Sequence, residues 1–421
     1  MSGARLQAPR GTQDVLPEQA TARAGLEATA RAILEGAGYA RIETPTFEAT
    51  ELFSRGVGAS TDIVQKEMYT FTDAGGRSLT LRPEGTAPVC RAYAEHGMHK
   101  LPQPVKLWYL SSFFRYERAQ AGRFRQFWQV GAEAIGSDDP AVDAESIVLL
   151  HTILEELGVQ GLQLRIGSLG GAAARTAYRE RLQAHLRAHE DQLSPEVAAR
   201  IDLNPLRAFD SDDAGTQAVM ARAPRLLDEL APQDAEHFAQ VRALLDAADV
   251  AHVVDPTLVR GLDYYTRTLF EFTSDALGAQ SAVAGGGRYD GLVEQLGGPA
   301  TPGMGWAAGV ERTLLAATPR PEPGLVVDLF VAFDGPAWLD IAFTLVNHAR
   351  RAGKHAQMEL AGRSIKGQLK QADRVGARFV AVLRQDHCVL RDSESGDETP
   401  VEGEADAIVA AVQRGMSQGA L

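Results

Sequence analysis

Phe114-Arg115-Tyr116-Glu117-Arg118-Ala119-Gln120-Ala121-Gly122-Arg123-Phe124-Arg125-Gln126-Phe127-Trp128-Gln129-Val130-Gly131-Ala132-Glu133 is the stretch that decides the fold. The run from Lys106 to Glu117 is rich in aromatic and apolar residues, and so is the run from Phe124 to Ile135. Two such runs around a short loop holding Gly122 predict an antiparallel hairpin. Side chains two apart share a face, so Arg125, Phe127, Gln129, Gly131 and Glu133 line one surface, and Trp128, Val130, Ala132 and Ala134 the other. The same parity pairs Arg115 with Glu117 on the preceding strand. One face reads as core. The other carries a guanidinium, an aromatic plane, an amide and a carboxylate, a set suited to an anionic, planar, amine-bearing ligand. Alternation of this kind also fits a sheet face wetted by solvent, so the choice rests on the rest of the chain.

A chain of 421 residues has room for two or three domains, each with a core large enough to need no staple. Cys90 and Cys388 give neither a disulfide framework nor a zinc pattern and suit a reducing cytosol. Met1 to Asp14 lacks an apolar stretch behind a basic cap, and no apolar run approaches membrane-spanning length, so a soluble, cytoplasmic protein with no membrane partner is expected. The formal net charge of -13 argues against blanket nucleic-acid binding. The cations are nevertheless clustered. Between Arg350 and Arg384 nine lysines and arginines face only Glu359 and Asp373, and Arg115, Arg118, Arg123 and Arg125 form a second group. Either is also compatible with a solvated surface.

Pro319, Pro321 and Pro323 stiffen residues 319–324 into a linker. Beyond it, strand and helix patterns alternate: Leu325 to Phe333, Trp338 to Ala352, Ser364 to Gly376, Arg378 to Leu383. They predict a small α/β domain over 325–421. Upstream, residues 169–255 show helical spacing at Ala172 to Leu193 and at Ala235 to Ala248, with few strand-like runs. A helical insertion is expected there, interrupting a core made of 1–168 and 256–318.

Four further segments carry chemistry. In Leu79-Thr80-Leu81-Arg82-Pro83-Glu84-Gly85-Thr86-Ala87-Pro88 an alternating strand ends at Pro83, and Thr86 is placed to cap a helix starting near Ala87. Glu84 then stands at the sheet lip, where it can pair with an ammonium group. Val259-Arg260-Gly261-Leu262-Asp263-Tyr264-Tyr265 is polar and aromatic yet leads into Leu269-Phe270-Glu271-Phe272. An arginine beside a glycine can approach a phosphate, and a tyrosine can offer its hydroxyl to a ring nitrogen. Ala284-Gly285-Gly286-Gly287-Arg288-Tyr289-Asp290 allows a ligand close to the backbone, although glycine runs are often only turns. Gly303 to Gly309 reads as a small-residue strand entering a helix, with Arg312 in its first turns.

Together these segments resemble the histidyl-tRNA synthetase family. Arg-Pro-Glu-Gly-Thr at 82–86, Phe-Arg-Tyr-Glu-Arg through Glu133, Arg-Gly-Leu-Asp-Tyr-Tyr at 260–265, Gly-Gly-Arg-Tyr-Asp at 286–290 and Gly-Val-Glu-Arg at 309–312 carry the resemblance. It implies a class II synthetase core, an α+β antiparallel sheet with helices, interrupted by a helical insertion and followed by an α/β anticodon-binding domain. The implied reaction joins L-histidine to ATP as histidyl-adenylate, with Mg2+ on the phosphates, and passes the aminoacyl group to the 3′ end of tRNA-His. A homodimer is implied as well.

Carried over by position, the resemblance gives Arg115 to the ATP α-phosphate, Glu117 to the adenine edge, Phe127 to adenine stacking and Arg312 to the distal phosphates and other adenine face. It gives Glu84, Thr86 and Gln129 to the histidine ammonium, Glu133 and Tyr265 to the imidazole nitrogens, and Arg260 to the carboxylate and α-phosphate. Tyr289 would close the pocket. Arg118, Gln120 and Arg123 lie in a loop that could meet the tRNA acceptor end, with Arg118 and Gln120 as candidates for reading the extra 5′ guanosine of histidine tRNAs. Ala119 stands where the family more often has proline. The synthetase-like regulatory subunit of ATP phosphoribosyltransferase shares this fold and binds histidine only as an effector, but generally lacks the C-terminal domain and the adenylation arginines. An inactive RNA-binding paralogue would be expected to have lost Arg115, Arg260 or Arg312. All three are present.

Overall fold

The computed structural model describes residues 6–58, 61–118, 120, 122–278, 281–318, 327–384, 387–401 and 405–418. The linker 319–324 and Ala119 lie outside them. The chain divides into two compact units, Met1–Arg320 and Pro321–Leu421.

In chain order the first unit contributes strands β1 (Ala40–Arg41), β2 (Phe47–Ala49), β3 (Tyr69–Thr72), β4 (Ser78–Leu81), β5 (Val105–Phe114), β6 (Gln126–Ile135), β7 (Leu162–Ser168), β8 (His252–Val254), β9 (Thr266–Ser274), β10 (Ala282–Arg288) and β11 (Gly303–Gly309). Eight of them form one sheet in the order β1-β5-β6-β11-β10-β9-β7-β8, and β2-β4-β3 form a small second sheet. The large sheet is antiparallel except at its edges, where β1 runs parallel to β5 and β8 parallel to β7. This is the α+β antiparallel sheet with helices that the sequence predicts.

The expected hairpin is present as β5 and β6, in a register that sets Tyr109 opposite Gly131 and Phe113 opposite Phe127. Both strands are shorter than their aromatic runs. Arg115 N–H still donates to Arg125 O at 3.0 Å, but Tyr116 N–H donates instead to Glu67 O at 2.8 Å, which draws the chain off the sheet. Arg115 and Glu117 therefore follow the strand rather than belong to it. The parity within β6 holds. Val130, Ala132 and Ala134 enter the main core with Trp108, Trp306 and the helices Pro17–Gly36 and Pro140–Glu156. Fully buried Leu26, Leu34, Ile147, Leu150 and Leu154 come from those helices, each contributing about 1.5–3 kcal/mol relative to exposure. The second helix starts where Asp139 accepts from Ala141 N–H at 2.8 Å, with Pro140 at its first position. The opposite sheet face is only partly open. A layer of Tyr109, Phe113, Tyr264, Tyr265, Leu269 and Tyr289 covers part of it.

Residues 169–251 lie between β7 and β8 and hold the helices Ala172–Arg187, Pro195–Ala198, Ala214–Met220 and Pro232–Ala247; the last residues of the expected insertion, to 255, include β8, which pairs with β7 in the main sheet. Tyr178, Leu182, Leu186, Val219 and Met220 belong to a core of their own. The last helix differs: its Phe238, Val241 and Leu245 pack into the main core. As a packing body the insertion is thus shorter than its helical sequence pattern, because that helix turns its apolar face to the sheet.

The second unit is a five-stranded sheet in which Val327–Phe333 pairs in parallel with Ala356–Met358 and Ala377–Arg384, and the latter antiparallel with His387–Asp392. Leu339–Arg351, Ile365–Arg374 and Ala405–Gln418 are its helices. Its basic cluster is partly neutralised, Arg363 by Glu359 and Arg378 by Asp392 and Glu394. Lys366, Lys370 and Arg374, four apart on one helix face, are exposed.

Candidate active site

The floor of the candidate site is made by β6, β11 and β10, and it is kept low by glycine. A Cβ on Gly285 would sit 2.7 Å from the Arg260 guanidinium carbon, and one on Gly305 would sit 1.8 Å from Glu133 Oε2. Side chains from flanking segments can therefore lie flat on the sheet. Gly285 and Gly287 share a face of β10, so Arg260 and Tyr265, which rest against them, lie side by side.

At the lip of β4, Glu84 is 4% exposed. Its carboxylate accepts from Thr86 N–H at 2.8 Å and Ala87 N–H at 2.9 Å, and from the Tyr264 hydroxyl at 3.4 Å. This corrects the expected cap. Helix Thr86–Glu95 is held at its start by Glu84, because the Thr86 side chain faces the sheet and donates to Glu133 Oε1 at 2.7 Å. Glu133 is fully buried and also accepts from Tyr289 at 2.6 Å and Tyr109 at 3.3 Å. Burial pushes its carboxyl up to about 8, the Glu84 charge adding to the effect. Burial raises Glu84 as well. Tyr289 lies beneath Glu133, 1% exposed, rather than over the pocket mouth.

Beside this buried group a cavity of about 460 Å3 is lined by Arg115, Glu117, Phe127, Gln129, Arg260 and Arg312. Arg115 donates to Pro83 O at 2.8 Å and stands 5.4 Å from the Phe127 ring centre, which fixes a guanidinium next to an aromatic plane. Glu117 lies between Arg115 at 3.8 Å and Arg123 at 3.5 Å. Arg312 reaches the cavity from helix Val310–Ala316 and donates to Ala282 O at 2.6 Å. Gln129 connects the two halves: Phe127 on one side of it in β6 faces the cavity, and Glu133 on the other is buried. Its Oε1 is buried with no partner among the described residues. Such an acceptor is costly unless a ligand donates to it.

The residues assigned above to histidine and ATP thus fall in one region, but as two sets. Glu84, Thr86, Glu133, Tyr265 and Tyr289 form a closed cluster. Arg115, Glu117, Phe127, Gln129, Arg260 and Arg312 line an open cavity. Arg118, Gln120 and Arg123 are exposed on the loop beyond, where Gln120 and Arg123 bridge by paired backbone hydrogen bonds. Among the described residues no group of three or more His, Cys, Asp or Glu side chains is placed to hold a metal.

Three residues escaped the sequence reading. Tyr109 sits opposite Gly131 and its hydroxyl reaches Glu133; a large residue facing a glycine at the right parity is the signal that was available. Tyr264 touches Glu84. Glu271 accepts from Arg260 Nη1 at 2.5 Å and lines the cavity. It is the one carboxylate in an otherwise apolar strand run.

The family model described as histidyl-tRNA synthetase matches residues 11–313. A histidine–tRNA ligase of Desulfitobacterium hafniense is 47% identical over 402 residues, covering 93% of this chain and 95% of that protein. One from Thermosynechococcus vestitus is 49% identical over 379 residues, covering 90% and 89%. The crystal structure of apo S. aureus histidyl-tRNA synthetase matches with a TM-score of 0.80 and 37% identity, over 97% of this chain and all of that one.

Proposed function

The chain belongs to the histidyl-tRNA synthetase family and its activity is that of a histidine–tRNA ligase; from that premise we propose how its own residues carry out the reaction. ATP, histidine and tRNA are the substrates. Adenine stacks on Phe127 with its edge at Glu117, Arg115 holds the α-phosphate, and Arg312 takes the distal phosphates and the other adenine face. Mg2+ would be held by the phosphates of ATP and would supply further neutralising charge there. Histidine places its ammonium among Glu84, Thr86 and Gln129, and its imidazole between Glu133 and Tyr265. Tyr289 orients the Glu133 carboxyl by hydrogen bonding.

With both substrates in place the histidine carboxylate lies between Arg260 and Arg115 and attacks the α-phosphorus in line, expelling pyrophosphate. Such a step needs alignment and neutralisation of developing charge more than covalent help. Two guanidiniums fixed before reaction, one by Pro83 O and one by Glu271, supply both. The 3′-terminal ribose hydroxyl of tRNA-His then attacks the acyl-adenylate carbonyl, breaking the acyl–phosphate bond and releasing AMP, with the hydroxyl proton passing to the departing phosphate or to water. Arg118, Gln120 and Arg123 meet the acceptor end, and the exposed Lys366, Lys370 and Arg374 face meets the anticodon arm. Family membership supports a homodimer working in the cytoplasm. No helix among the described residues is long and apolar enough to cross a membrane.

The observation that carries the amino-acid half is the buried Gln129 Oε1, without a partner among the described residues, beside two buried carboxyls whose charged form a cationic ligand would favour. Calorimetric titration with histidine and with its analogue lacking the α-amino group tests it. The analogue should bind on the order of 100-fold more weakly, the scale of leaving buried polar groups without their charged partner. Equal affinity would remove Glu84, Thr86 and Gln129 from the substrate site.

A further inference from the structure

The segment that leads out of the pocket, Tyr265 to Arg267, is held by the helical region inserted between β7 and β8. Arg175, on helix Ala172–Arg187, donates from Nη1 to Tyr265 O at 2.7 Å. Asp234, in the first turn of helix Pro232–Ala247, accepts from Arg267 Nε at 3.0 Å and from Gly171 N–H at 2.8 Å. The backbone is gripped as well, with Arg267 N–H on Gly170 O at 2.8 Å and Leu169 N–H on Arg267 O at 2.7 Å. Both the entering and the returning helix thus converge on three residues.

Those three residues do not follow regular strand geometry. Arg267 has φ of 45°, in the left-handed region that a residue with a Cβ seldom adopts. The pairing of β10 with β9 slips there, Gly287 facing Leu269 while the next residue, Arg288, faces Thr266. Bulges of this kind re-aim neighbouring side chains, and strained backbone persists only where its surroundings over-determine it. Here the surroundings are Arg175 and Asp234. The side chain aimed by the bulge is that of Tyr265, set on Gly287.

We propose that Arg175 and Asp234 are positioning residues for histidine recognition, acting through Tyr265, so that the placement of the insertion sets the fit of the imidazole site. Because helix Ala172–Arg187 belongs to the insertion's own core, whatever shifts that body shifts Tyr265 through Arg175, while Asp234, on the helix packed into the main core, holds Arg267 in place. The inference rests on the proposed role of Tyr265 at the imidazole.

The test is histidine-dependent pyrophosphate exchange by the full chain and by Arg175→Met, Arg175→Lys, Tyr265→Phe and the Arg175→Met/Tyr265→Phe double variant, with thermal unfolding of each. Arg175→Met should raise the KM for histidine about 10-fold, the scale of one lost charge-assisted hydrogen bond, and leave the KM for ATP unchanged. Arg175→Lys should restore most of it. In the Tyr265→Phe background Arg175→Met should add nothing, because the hydroxyl it positions is gone. Multiplicative effects in the double variant, or a lowered unfolding temperature with unchanged KM, would overturn the positioning role. An unchanged histidine KM in Tyr265→Phe would overturn the reading of Tyr265 itself. If Arg175→Met does not fold, Asp234→Asn carries the same comparison.

Discussion

Arg260 Nη1 lies 2.5 Å from Glu271 Oε2, so the guanidinium that faces the cavity is tied to the sheet before any substrate arrives. A charge held in this way needs no reorganisation when negative charge develops beside it. Arg260→Ala should lower the adenylation rate on the order of 100-fold to 1,000-fold while histidine binding stays measurable. Single-turnover adenylate formation and equilibrium histidine binding, measured on one preparation, check this. Near-parental turnover would remove Arg260 from the chemistry.

Glu271→Gln keeps the shape of the strand and removes the charge that fixes Arg260. The rate constant for adenylation should fall about 10-fold, the scale of one hydrogen bond to a charged group, with little change in histidine affinity. An unchanged rate would mean that the pair contributes only to packing.

Glu133 carries the pH prediction. Its carboxyl ordinarily titrates at 4.5 and is raised by burial to about 8. Between those values the folded chain keeps a proton that the unfolded chain has released, so this group's contribution to stability falls as pH rises. Glu133→Gln does not titrate there. Its stability relative to the parent should increase from pH 4.5 to about 8, by up to about 1.4 kcal/mol per pH unit. Thermal unfolding of both chains across that range gives the answer, and parallel profiles would contradict the raised carboxyl.

Gly305→Ala probes the glycine floor. Its Cβ would fall 1.8 Å from Glu133 Oε2, so the buried carboxyl or the sheet must shift. Overpacking of this sort costs about 1–3 kcal/mol, and displacing Glu133 should raise the histidine KM more than the ATP KM. Equal changes in both constants would show that the floor carries no selectivity.

Asp143 and Arg288 form an ion pair with both side chains at 0% exposure, and His237 approaches Asp143 at 3.7 Å. Removing Asp143 takes away the fully buried partner of Arg288 and leaves it only the partly exposed Asp290, 3.1 Å away. Asp143→Ala should cost about 3–5 kcal/mol, read as a lower urea midpoint. A shift below 1 kcal/mol, the scale of an exposed pair, would show that water reaches Arg288.

The hairpin was legible because the period of two and the paired aromatic runs gave both the pairing and the faces of Phe127, Gln129 and Glu133. The alternation in the last hundred residues gave the core of the second unit, with Val327–Phe333 and Ala377–Arg384 as its central strands. Less legible was what each polar group would bond to. Thr86 has the chemistry of a cap, yet Glu84 takes that place, because Thr86 meets Glu133 across a separation of 47 residues. Tyr109 and Glu271 were invisible for the same reason: a tyrosine or a glutamate in a strand states its face, and only the register of neighbouring strands states its partner. The end of the insertion was blurred because Pro232–Ala247 has helical spacing whichever body it packs on.

The most direct measurement is exchange of labelled pyrophosphate into ATP without tRNA, with histidine and a panel of other amino acids. Exchange with histidine alone is the expected result, since a site that hydrogen-bonds both imidazole nitrogens leaves its own groups unpaired against any other side chain. A folded chain that binds histidine and exchanges no pyrophosphate would contradict the adenylating role given to this pocket.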